Sequence, residues 1–137
     1  MIWLDPKTVV LGAAPLTEVR QVSVDEKAEK LVIEFTDNGP HPAFADVPER
    51  RSVVKIRRRV LGNENLGLGV GDERAFEMRT APSGTDAAGV TVTATVVLTA
   101  ISYRVDRHEG AEQVIEAVAV SPNGLSDPVT TVVDGGA

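Results

Sequence analysis

Two histidines, His41 and His108, are the side chains best suited to move a proton or ligate a metal near neutral pH. His41 stands between Pro40 and Pro42, and His108 lies in an acidic turn beside Asp106 and Glu109. A metal site draws on several convergent ligands, yet the chain has no His pair at helical spacing and no EF-hand loop. Both histidines therefore read as solvated turn residues. No G-x-S-x-G elbow is present, and Ser23, Ser52, Ser83, Ser102, Ser121 and Ser126 carry no local mark of an activated nucleophile. With no cysteine at all, thiolate zinc sites, disulfides and cysteine catalysis drop out together. Gly67-Leu68-Gly69-Val70-Gly71 fits neither the dinucleotide fingerprint nor the P-loop and reads as a flexible loop. The acid pairs Asp25-Glu26 and Asp72-Glu73 fall in expected turns, and 4% aromatic residues leave a glycosidase few stacking subsites. The expectation is a protein with no enzymatic activity, no metal and no cofactor.

The basic residues are less ordinary. Arg50, Arg51, Lys55, Arg57, Arg58 and Arg59 crowd one region of a chain that otherwise holds an excess of acid: 20 acidic against 14 basic residues, a net charge of -6. That balance opposes general binding to a phosphate backbone. On a strand, Lys55, Arg57 and Arg59 share one face while Val54, Ile56, Arg58 and Val60 share the other. The first face is either solvated and paired with cross-strand acids or turned to an acidic partner, most simply a second copy of the chain. Head-to-tail association of complementary patches generates rings or filaments.

The elements that would carry these residues are strands. The chain holds 22 Val, 5 Ile and 11 Thr against 9 Leu and 2 Met, and β-branched side chains suit a pleated surface better than a helix. At 137 residues it is expected to form one domain, 1–137, with a single core. The pattern predicts strands near Thr8 to Leu11, Glu18 to Val24, Lys30 to Thr36, Ser52 to Leu61, Arg74 to Thr80, Val90 to Val105, Gln113 to Ser121 and Val129 to Val133. Turns are marked by Asp37-Asn38-Gly39-Pro40, Pro82-Ser83-Gly84, His108-Glu109-Gly110 and Pro122-Asn123-Gly124. The expected fold is all-β, an antiparallel sandwich or barrel of two packed sheets with long loops and at most one short helix, for which Asp25 to Lys30 and Glu64 to Val70 are the compatible segments.

Within Val90 to Val105 the apolar parity changes. Val90, Val92, Ala94 and Val96 alternate with threonines, whereas Ile101, Tyr103 and Val105 occupy the opposite parity, which predicts a bulge or bend near Val96 to Thr99. Two connections are long. Asp37 to Arg51 holds Pro40, Pro42 and Pro48 and is not expected to join a ladder continuously. Gly62 to Asp72 is Gly-rich and displays Leu66, Leu68 and Val70, as a surface-packed loop or as an oligomer contact. The start, Met1-Ile2-Trp3-Leu4-Asp5-Pro6, lacks the regions of a signal peptide, and no apolar run would span a bilayer, so a cytosolic origin without membrane contact is expected.

Val90 to Val105, the Gly110 turn, Glu112 to Val120 and Ser121-Pro122-Asn123-Gly124-Leu125-Ser126-Asp127-Pro128-Val129 resemble the closing strands of tail tube proteins of long-tailed bacteriophages and phage-derived particles. The resemblance covers the last third of the chain and consists of strand and turn patterns; the flanking helix common in that family has no evident counterpart. It implies a structural subunit that forms stacked hexameric rings around a channel for DNA delivery, assembles in the host cytoplasm, meets other tail proteins and ends in the virion tail. On that footing Arg57, Arg59, Leu66, Leu68 and Val70 are the expected subunit contacts, and DNA must pass without sticking to the wall. Glu34 and Glu116, acids within otherwise apolar strands, are placed on the channel lining or, alternatively, on an outward solvated face. The same last hairpin also resembles fibronectin type III-like or immunoglobulin-like binding modules, although Trp3 precedes the first strand and so cannot serve as their core Trp.

Overall fold

Alternation of apolar and polar side chains carries most of the chain into strands in a computed structural model, which describes residues 2–4, 6–60, 67–80, 89–106 and 110–133. In chain order these are β1 (Ile2–Leu4), β2 (Thr8–Leu11), β3 (Ala14–Leu16), β4 (Val19–Phe35), β5 (Pro42–Val60), β6 (Glu73–Arg79), β7 (Val90–Asp106), β8 (Gly110–Val120) and β9 (Val129–Val133). No helix occurs among the described residues. All pairings are antiparallel and join into one sheet of order β1-β4-β5-β8-β7-β6-β2-β3, with β9 added on β7.

The sheet is its own cover. Leu11 on β2 and Val22 on β4 belong to one buried cluster with Ile56, Phe76, Val96 and Ile115, yet four strands separate β2 from β4 in the sheet order. Laid flat, strands five spacings apart would stand about 24 Å from each other. Complete burial of both, with no helix over them, requires the sheet to curl until its two halves face one another, a sandwich or barrel-like all-β fold.

β7 organises this curl. Leu98 pairs with Ala117 and Ala100 with Glu116, so Thr99 is the extra residue of a bulge, and its Oγ1 donates to the Glu116 carbonyl at 3.2 Å. Before it Val92, Ala94, Val96 and Leu98 turn inward; after it Ile101 does, as the parity change predicts. One edge of β7 pairs first with β9 and then with β8, so residues 121–128 are an excursion between two strands that line up along the same neighbour.

Two expectations are corrected here. Asp25 to Lys30 is not helical, and Asp37 to Arg51 is not a long loop: β4 continues to Phe35, and β5 begins at Pro42. The prolines fit because of where they stand. Pro42 is the first residue of its strand, and Pro48 lies in a bulge, since Glu49 pairs with Lys30 and Asp46 with Val32, leaving Val47 and Pro48 opposite Leu31. An amide that no ladder needs can be absent without loss. On β4, the charged run at 25–30 is held extended by cross-strand partners, Arg50 on Glu26 at 3.7 Å and Arg51 on Glu29 at 2.7 Å.

Candidate assembly interface

The corrected region forms an arm. Among the described residues, β4 beyond Glu26 pairs only with β5, and residues 42–51 of β5 pair only with β4, so a two-stranded ribbon leaves the sheet. Its nine outer β4 residues, 27–35, reach about 30 Å at the usual rise per residue. Side chains along both strands are exposed except Val47, which is half-buried.

The two faces of the ribbon differ. Ile33 lies opposite Ala45 and Phe35 opposite Pro42, and alternation adds Leu31 and Val47 to that face, which is apolar throughout. Val32 lies opposite Asp46 and Glu34 opposite Phe44, so the other face is mixed. Phe35 is 63% exposed and Leu31 54%. A two-stranded hairpin is marginal by itself in water, and a continuous apolar face on it gains by being covered. Both outer edges of the ribbon lack a strand partner among the described residues. Among the described residues a third edge without a strand partner runs along β7 past Leu98, where Tyr103 and Val105 are exposed.

The basic strand is arranged as its alternation implies. Lys55, Arg57 and Arg59 point outward, while Val54, Ile56 and Arg58 are buried. Acids of β8 in the same chain meet two of the outward groups: Glu112 Oε1 lies 3.6 Å from Arg57 Nε, and Glu116 Oε1 lies 4.0 Å from Lys55 Nζ. Arg59 lies over Gly110, where a Cβ would come within 3.7 Å of the guanidinium and where φ is +80°. The other expected site residues are dispersed. Glu116 sits on the outer face of the sheet, whereas Glu34 is on the arm. Leu68 packs partly buried against the core, Val70 is exposed, and Leu66 lies outside the described residues, as do His108 and the first three residues of the helix-compatible segment Glu64 to Val70, whose described remainder, 67–70, is not helical.

Alternation placed Arg58 among apolar neighbours without assigning it a role. The guanidinium donates from Nη1 to Gln113 Oε1 at 2.8 Å, from Nε to the Thr17 carbonyl at 3.2 Å and from Nη2 to Thr17 Oγ1 at 3.4 Å. A readable signal existed: Gln113 is a polar residue at an inward position of the facing strand. The arm's apolar face had no such signal, because it exists only once residues 31–35 pair with 42–47.

At the root of the arm an open cleft of about 510 Å³ lies between Glu26, Arg50 and Ser52 on one side and residues 121–128 on the other, with Leu125 at its rim. Among the described residues no three His, Asp or Glu side chains converge to hold a metal ion. A scan against protein-family models and a search of curated proteins found no match to this chain.

Proposed function

We propose that the protein is a structural subunit of a phage-type tail tube, self-associating into stacked hexameric rings whose channel passes DNA without binding it specifically. The observation that carries this reading is the arm: a long ribbon with Leu31, Ile33 and Phe35 exposed on one face and, among the described residues, no strand on either outer edge. Such a ribbon is stabilised by seating on another body, and the most economical body is a second copy of the chain. Separated charge supports the same choice, since the basic strand and the acidic excess lie on one protomer. In this reading the arm joins the subunit contacts, other tail proteins cap the tube, and the assembly site is the host cytoplasm before incorporation in the virion. No catalytic or cofactor chemistry is required.

Sedimentation velocity over a range of concentrations, with electron microscopy of the same sample, tests it. Rings or tubes are the expected result. A monomer that persists at high concentration overturns the reading and is what a fibronectin type III-like or immunoglobulin-like binding module would give.

A further inference from the structure

The dipeptide Asn-Gly occurs twice, at Asn38-Gly39 and at Asn123-Gly124. We propose that Asn38, in the turn at the tip of the arm, is a site of spontaneous deamidation, and that Asn123 is protected by its loop. The reaction requires the amide nitrogen of the following glycine to lose its proton and attack the Asn Cγ. A new C–N bond closes a succinimide, the Cγ–Nδ2 bond breaks, and Nδ2 leaves as ammonia with a proton from solvent. Water then opens the ring at either carbonyl to give aspartate or isoaspartate. One water is consumed and one ammonia released, with no change of oxidation state.

The surroundings of the two sites differ in every respect that this step depends on. At the tip, the Asn38 side chain and the Gly39 amide form no hydrogen bond among the described residues; only the Asn38 backbone amide is engaged, weakly, by Thr36 Oγ1 at 3.4 Å. No atom beyond the neighbouring residues would lie within 4 Å of a Cβ on Gly39, so the space around this glycine is open. In the other loop, the Gly124 amide donates to Ser121 Oγ at 3.2 Å. The Asn123 Oδ1 accepts from Ser121 Oγ, from the amides of Leu125 and Ser126, and from Ser126 Oγ, at 2.9–3.0 Å. Rotation of that carboxamide toward Gly124 would break all four. The product at Asn38 places a new carboxylate beside Asp37, and its isoaspartate form lengthens the main chain by a methylene at the turn that joins β4 to β5.

Incubation of the folded protein at mildly alkaline pH, followed by peptide mass spectrometry and an isoaspartyl methyl-acceptance assay, tests the proposal. Since several hydrogen bonds must open around Asn123 before its ring can close, Asn38 is expected to convert at least about tenfold faster than Asn123. In urea, where neither loop exists, the two rates should converge. Gly39→Ala, at a position with open space and no positive φ, should leave the fold intact and abolish conversion of Asn38 on the same timescale. Equal rates in the folded protein, or an Asn38 that stays intact while the unfolded chain converts, overturn the proposal. So does undiminished conversion in the Gly39→Ala protein.

Discussion

Arg58 and Gln113 face each other across the β5–β8 pair with both side chains turned inward, joined by a hydrogen bond of 2.8 Å and only 1% and 3% exposed. Gln113 Nε2 in turn donates to Tyr103 Oη at 3.0 Å, and Arg58 reaches Thr17 in the link between β3 and β4. A charged group thus ties β5 to β8, β7 and the β3–β4 link at the margin of an apolar interior, where the sheet curls.

Such a group is expensive to disturb by halves. Gln113→Leu removes an acceptor from a buried cation and is expected to cost about 2–3 kcal/mol in urea denaturation. Combining it with Arg58→Met replaces both polar partners and should recover most of that loss. A Gln113→Leu protein as stable as the parent would show that the bond contributes little to the fold.

Thr99 is the residue that the β7–β8 ladder leaves over, and it bends the strand there. Deleting it would seat Ala100 directly after Leu98, opposite Glu116, and keep Ile101 opposite Ile115, so the register with β8 survives and only the bulge is lost. The expected cost is about 1–3 kcal/mol, since the strand must straighten against a packed interior. Thr99→Ala keeps the bulge and loses only one exposed hydrogen bond, so its thermal midpoint should stay close to that of the parent. Similar midpoints for deletion and substitution would show that the bend at the bulge adds little to the packing of the sheet.

These two cases mark what could be read from the chain. Short runs rich in β-branched residues located β2 and β9 at their observed bounds, and the parity change in β7 located its bulge, because the inward side chains of β7 report on a buried side. The arm has no buried side. Its root, Asp25-Glu26-Lys27-Ala28-Glu29-Lys30, is rich in residues that favour a helix, and its return strand holds prolines; cross-strand pairing overrides the first preference and a bulge absorbs the second. The basic face of β5 was legible as alternation, with cross-strand acids as one of its two candidate partners. Which acids these are, Glu112 and Glu116, depends on the β5–β8 register, which no local pattern specifies.

That register makes the role of the basic strand testable. Arg57 and Glu112 are both substantially exposed, so Arg57→Ala should cost less than about 1 kcal/mol. Reversal of Arg57 and Arg59 to Glu places like charges near Glu112 and is expected to weaken association if these arginines also meet a neighbouring protomer. The exchange Arg57→Glu with Glu112→Arg restores the internal pair but inverts its polarity toward any partner. Association that returns to the parent level in the exchanged protein, measured by sedimentation, would assign the pair to the interior economy of one subunit and remove it from the interface.

The arm gives the sharpest test of assembly, because its side chains add little to the subunit's own stability. Leu31, Ile33 and Phe35 are 54%, 43% and 63% exposed, and replacing all three with Thr puts residues that favour strands at each position while removing the apolar face. Each exposed substitution away from a special feature is worth within about 0.5 kcal/mol, so urea midpoints of the triple variant should shift little. Covering the three side chains in an assembly, by contrast, removes apolar surface at roughly 25 cal/mol per Å², which amounts to a few kcal/mol per subunit and multiplies around a ring. The triple variant is therefore expected to sediment as a folded monomer at concentrations where the parent assembles. A control on the opposite face, Glu34→Gln, leaves the apolar face whole and should assemble like the parent. If the triple variant forms the same rings or tubes at the same concentration, the arm is not what holds the subunits together.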